Sequence, residues 1–99
     1  MEIQTRLENG VYSVTMQGKF IFTDNQQFRP ILEKLGDPAI LQVVLLMEKV
    51  DFVDSAALGM LLLAHDEAVK YQKTLSLRGV NGQVKRIFEM ARFEQFFNF

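Results

Sequence analysis

Two polar residues sit side by side in a stretch that is otherwise greasy. "FVDSAALGM", Phe52 to Met60, puts the carboxylate of Asp54 directly before the hydroxyl of Ser55, at the mouth of a long apolar run. A hydroxyl in that place can be a nucleophile, a helix cap or a target for modification. A nucleophile needs a base within hydrogen-bond reach. The chain's one histidine, His65, lies ten residues downstream and nearly three turns along the same helix, too far to serve. Asp51 and Asp54 read as one loop residue and one cap, not as an acid/base pair. No acidic or histidine cluster has metal-ligand spacing. The glycines are scattered, so no phosphate-cradling loop is present. The residues call for no cofactor and no metal, and an enzyme is not the expectation.

Composition narrows the rest. The chain has 99 residues, 48% of them hydrophobic and 23% charged, with a formal net charge of −1. That suits one globular domain and gives no basic excess for nucleic acid. Cysteine is absent, which removes disulfides and thiolate metal sites. The start, "MEIQTRLENG", has no basic region followed by an apolar stretch. The longest apolar run, Ala56 to Ala64, falls short of a membrane span. A cytoplasmic protein without membrane insertion is expected.

The elements that must position Asp54 and Ser55 follow from periodicity. Met1–Glu8 and Val11–Gln17 alternate as strands around Asn9-Gly10, a strong hairpin turn. Gly18 is expected to end the second strand. Thr23 with Gln26 fits a capping box, Asp24 suits a first turn, and Phe28, Ile31, Leu32 and Leu35 follow at helical spacing up to Gly36. Pro30 should kink that helix unless the helix starts close to it. Ile40–Met47 reads as a strand covered on both faces, and Val50–Val53 as a short connector. Asp54 caps a helix running to about Gln72, with Ala57, Leu58, Leu61, Leu62, Ala68 and Val69 facing the sheet. Met60, Leu63 and Ala56 then fall on the flank. Thr74–Val80 is a strand, and Val84, Ile87, Phe88 and Ala91 mark a last helix. The Phe-rich end is either a short strand or a packed tail. The order β-β-α-β-α-β-α predicts an α/β domain: a mixed, partly parallel sheet of four or five strands with about three helices.

At the start of the central helix Ser55 is either a plain N1 residue or a switch. A helix N-terminus offers free amides and about half a positive charge, so it tolerates a phosphate of roughly −1.5 to −2 charges. The same dianion buried unpaired in an interface costs several kcal/mol. The apolar flank beside it is either covered by neighbouring helices or an exposed patch for a partner.

Val50 to Phe97, "VDFVDSAALGMLLLAHDEAVKYQKTLSLRGVNGQVKRIFEMARFEQFF", resembles the second half of a STAS domain as found in bacterial anti-sigma factor antagonists. The likeness rests on Asp54-Ser55…Leu58-Gly59, on Val84-Lys85-Arg86-Ile87-Phe88 and on Phe93…Phe96-Phe97. With a looser first half it extends over nearly the whole chain. The resemblance implies partner switching. Unphosphorylated antagonist binds an anti-sigma factor that is also a serine kinase, and a sigma factor is released. Phosphorylation of Ser55 blocks binding, and a PP2C-type phosphatase restores it. By position, Asp54, Ser55, Ala56, Ala57, Leu58, Gly59 and Met60 would form the contact segment. The turn after the second strand, with Phe22 and Asp24, would complete it. Relatives often carry a second hydroxyl and a glycine where this chain has Ala56 and Ala57, which leaves Ser55 as the acceptor. They often carry an acidic turn where this chain has Gly18-Lys19-Phe20-Ile21. The alternative is a constitutive accessory subunit of an ABC-type lipid transporter ATPase, with Ser55 only part of a helix start. Whether the chain is a monomer or a dimer is left open.

Overall fold

A computed structural model describes residues 1–99, and its first feature is the hairpin. Asn9 and Gly10 have φ of 52° and 80°, the doubly positive pair that a tight hairpin turn requires. The turn joins β1 (Glu2–Glu8) to β2 (Val11–Phe20), antiparallel, with Ile3 opposite Met16 and Leu7 opposite Tyr12. A 3₁₀ turn (Phe22–Asp24) leads into α1 (Asn25–Lys34). There follow β3 (Gln42–Val53), α2 (Ser55–Tyr71), β4 (Thr74–Arg78) and α3 (Gly82–Met90). The sheet order is β1-β2-β3-β4, with β2, β3 and β4 parallel. Two successive right-handed crossovers stepping in the same direction place α1 and α2 on the same face of the sheet.

The core lies between that face and the helices. Tyr12, Val14, Met16, Val43, Leu45, Met47 and Leu77 join Phe28, Ile31, Leu61, Ala64, Val84 and Phe88 in one buried cluster. The opposite face holds Ser13, Thr15, Leu46 and Ser76, all half-buried and outside that cluster. This corrects the expectation that β3 is covered on both faces. Helices cover one side only. On the other, Val44 is buried outside the main core, with Ser13 and Ser76 beside it in register. A middle strand flanked by two others reads as apolar throughout even when one of its faces lacks a helix.

Residues 50–53 are strand, not connector, and β2 runs past Gly18 to Phe20. Thr15 pairs with Leu46, Gln17 with Lys49, Gly18 with Val50 and Lys19 with Phe52. At each of two irregularities β3 therefore carries one more residue than β2, as a bulge does. The core-facing positions Met47, Val50 and Val53 are consequently spaced by three instead of two. Exposed Glu48 and Lys49 fall in the first gap. Gly18 takes φ +95° at the second irregularity, a conformation that glycine adopts without penalty.

The expected capping box at Thr23 and Gln26 does not form, because α1 begins at Asn25 and its N-cap makes no side-chain bond. Pro30 lies inside α1. It is exposed, and the carbonyl it leaves unpaired, that of Gln26, is on a solvent-facing residue. The Phe-rich end resolves as a packed tail. Phe93 and Phe97 are buried, and Phe99 meets Phe88 edge-on. The sheet thus has four strands.

Candidate functional site at the start of α2

The site is built where β3 ends. Asp54 is extended, at φ −99° and ψ 179°, and its N–H donates to the Phe20 carbonyl at 3.3 Å. This fixes the helix start to the carboxyl edge of the sheet, where open α/β folds keep their functional crevices. Asp54 Oδ1 accepts from the Ala57 amide at 2.8 Å, the N-cap bond expected from the sequence. Oδ2 accepts from the Phe22 amide at 3.0 Å. One carboxylate therefore caps α2 and docks the β2–α1 turn against it.

Ser55 follows as the first helical residue. It is exposed, and its hydroxyl has no hydrogen-bond partner in the chain. Around it lie half-buried Ala56 and Leu58, exposed Gly59, and Phe22, which is 68% exposed. These residues form one surface. The structure removes three expected members from it. Ala57 and Met60 are core, at 0% and 6% exposure. The buried stripe of α2 is Ala57, Met60, Leu61, Ala64 and Ala68, so Met60 points inward and Val69, expected inward, is exposed. Asp24 is also buried. Its Oδ2 accepts from the Ile21 amide at 2.8 Å and its Oδ1 from the Met1 ammonium at 3.2 Å. It holds the turn from inside, with 6% of its surface exposed.

That contact went unread in the sequence, but a signal for it exists. An acidic residue three positions after the start of a turn reaches back to the starting amide, which is one half of a capping box. The pair is Ile21 and Asp24, offset from the Thr23–Gln26 pair that the sequence suggests.

His65 does not approach Ser55. Its ring packs edge-on against Phe96 and Phe97, with centroids at 5.2 and 5.7 Å. At the helical rise the two residues stand about 15 Å apart along the axis. Asp51 is exposed beside Lys19, Phe52 and Gln83. No group of three or more His, Asp or Glu side chains converges to hold a metal, and no helix is long and apolar enough to cross a membrane. What the arrangement offers chemically is a free hydroxyl at a well-fixed helix N-terminus, in a partly apolar surface.

Comparison with known proteins agrees with the geometry. The chain is 35% identical over 85 residues to a STAS-domain containing protein of Pseudomonas aeruginosa (strain UCBPP-PA14), covering 86% of this chain and 83% of that one. Its fold is similar to that of the Bacillus cell fate determinant SpoIIAA in the phosphorylated form. The TM-score there is 0.76 at 14% identity, over 98% of this chain and 89% of the other. It is also similar to part of the murine Solute Carrier 26 family member A9 anion transporter. In that case the TM-score is 0.72 at 24% identity, over 86% of this chain and 14% of the transporter. These two structural likenesses show a shared fold. The STAS domain family model matches residues 2–99, and the chain belongs to the STAS domain family.

Proposed function

We propose that this protein is an anti-sigma factor antagonist that works by partner switching. The observation that carries the reading is the free Ser55 hydroxyl, exposed at the first position of a helix whose cap is already supplied by Asp54. With Ser55 unmodified, the surface formed by Phe22, Ser55, Ala56, Leu58 and Gly59 binds an anti-sigma factor that is also a serine kinase, and a sigma factor is set free. A phosphate on Ser55 leaves the fold intact, because the helix N-terminus and open solvent both accommodate it. It abolishes docking, because the dianion would be buried against the partner without a counter-charge. A PP2C-type phosphatase reverses the change. Two things support the reading: SpoIIAA, whose fold this chain shares, is named as an anti-sigma factor antagonist, and Asp54-Ser55 stands at the start of α2 with Ser55 exposed.

Ser55 is on this reading a substrate position, and the protein has no catalysis of its own. Where the protein acts is part of the same proposal: a sigma factor regulator works in the cytoplasm.

The test is binding of the native partner by wild type and by Ser55→Asp, with urea denaturation run in parallel. The expected result is a loss of about a hundredfold or more in affinity, near 3 kcal/mol, with unchanged folding stability. Equal binding by Ser55→Asp would sink the switch. It would favour a constitutive contact, as in an accessory subunit of a lipid transporter ATPase.

A further inference from the structure

The C-terminal half of α2 carries a second surface. Leu63, Glu67 and Tyr71 follow one another at a spacing of four along one side of the helix, and they face Leu32, Glu33, Gly36 and Asp37 at the end of α1. Between the two helices lies a trough of about 520 Å³. Its apolar wall is Leu63, 56% exposed, and Tyr71, 42% exposed, with half-buried Leu32. The Tyr71 ring lies 3.3 Å from where a Cβ on Gly36 would stand, so the ends of the two helices meet closely at the floor.

The charged side chains that line the trough are all acidic. Glu33, Asp37 and Glu67 line it, and none is in an ion pair. Asp37 uses one oxygen to accept from the Ala39 amide at 2.9 Å. Two lysines stand at its far end, on residues that line it. Lys70 lies over the Tyr71 ring at 5.1 Å, and Lys73 donates to the carbonyls of Asp37 and Ile40 at 3.1 and 2.6 Å. Lys34 lies over the Tyr12 ring at 5.6 Å.

We propose that this trough docks an amphipathic helix of a protein partner, with leucine-like side chains against Leu63 and Tyr71 and lysine or arginine against Glu33 and Glu67. Two observations select that occupant. The shape is a furrow between helices, which suits a helix laid lengthwise with anchors at i and i+4. Lys70 and Lys73 sit at the Tyr71–Asp37 end, and Glu33 and Glu67 leave an acidic excess without an ion pair that complements a basic flank. The trough begins about 12 Å and ends about 24 Å beyond Ser55 along the axis, so its occupant need not touch the modified residue.

The test uses the full chain labelled with ¹⁵N. The probe is a capped 18-residue helical peptide with leucines at i and i+4 flanked by lysines. Amide shifts should appear at Gly36, Leu63, Glu67 and Tyr71, and binding should weaken by about tenfold from low to high salt. A companion peptide with glutamate in place of lysine should not bind. The double variant Glu33→Lys, Glu67→Lys should reverse the preference, and a dispersed spectrum certifies that it folds. Equal response to both peptides, shifts at Ser55–Gly59 instead, or no shifts at all would overturn the proposal. So would shifts of the trough amides on concentrating the protein alone, which would make a second copy the occupant.

Discussion

Asp24 and Asp54 hold the same turn with the same chemistry, yet they leave the protein with different things. Each accepts a backbone amide through Oδ2: Asp24 from Ile21 at 2.8 Å, Asp54 from Phe22 at 3.0 Å. They differ in what the other oxygen does. Asp24 Oδ1 takes the Met1 ammonium, and the pair is buried. Asp54 Oδ1 caps α2 at the edge of the surface that carries Ser55. One carboxylate fastens the turn to the body of the domain, and the other fastens it to the helix that presents the hydroxyl. Held from two sides, the backbone at Ile21–Phe22 is fixed while the Phe22 ring stays outside. Identical side chains, placed one buried and one half-buried, divide into a structural role and a site-forming role.

The division can be broken by substitution, and the largest effect belongs to the buried member. Asp24→Ala removes the acceptor of the Ile21 amide and leaves a buried ammonium unpaired. A loss of about 3 kcal/mol is expected in urea denaturation, at the lower edge for breaking a buried pair because a chain end can swing into water. Asp54→Ala should cost about 1–2 kcal/mol, the range of a lost N-cap. It should also speed hydrogen exchange at the Phe22 and Ala57 amides together, since one carboxylate serves both. Separate responses of those two amides would show that the turn and the helix start are not coupled through Asp54. If Asp54→Ala were the more destabilising change, the two roles would have been assigned the wrong way round.

Gly59 tests the outer surface of the same helix start. It sits in the interior of α2, and a Cβ there would meet nothing within 4 Å. Folding alone would favour alanine by about 0.5–1 kcal/mol. Gly59→Ala should therefore stabilise the isolated protein by that amount and weaken partner binding, because the added methyl stands where a partner approaches. Stabilisation with unchanged affinity would place the contact elsewhere on α2.

Much of this architecture is legible in the sequence because local rules and the global fold agree. Asn9-Gly10 dictates the hairpin, and Asp54 dictates the start of α2. Ala57, Leu61 and Ala68 mark its inner face as expected, whereas Met60 and Ala64 join that face unpredicted and Val69 turns outward. Apart from the Asp24–Ile21 bond, which is a local half of a capping box, the failures share one cause, which is tertiary placement that leaves no local pattern. Glu48 and Lys49 look like the end of a strand, but two one-residue bulges carry β3 past them to Val53. Val44 reads as half of a strand covered on both faces, but neighbouring strands rather than helices surround it. Asp24 looks like a solvent-facing first-turn residue, but its partner is the amino group of Met1, 23 positions away. The trough is invisible for the same reason. Leu63 and Tyr71 come from one helix and Gly36 from another, and only the α1–α2 packing brings them together.

The smallest expected effect is the one that separates fold from switch most cleanly. The Ser55 hydroxyl bonds to nothing in the chain, and the capping work beside it is done by Asp54. Ser55→Ala removes a polar group that already faces water and adds a better helix former. Stability should move by less than about 0.5 kcal/mol. The same change should abolish phosphorylation while leaving partner binding near wild type, since the unmodified hydroxyl is not what holds the partner. A substantial loss of stability would mean that Ser55 shares the cap. A loss of binding at constant stability would mean that the hydroxyl itself makes the contact, and phosphate would then act by removing a hydrogen bond and not only by adding charge.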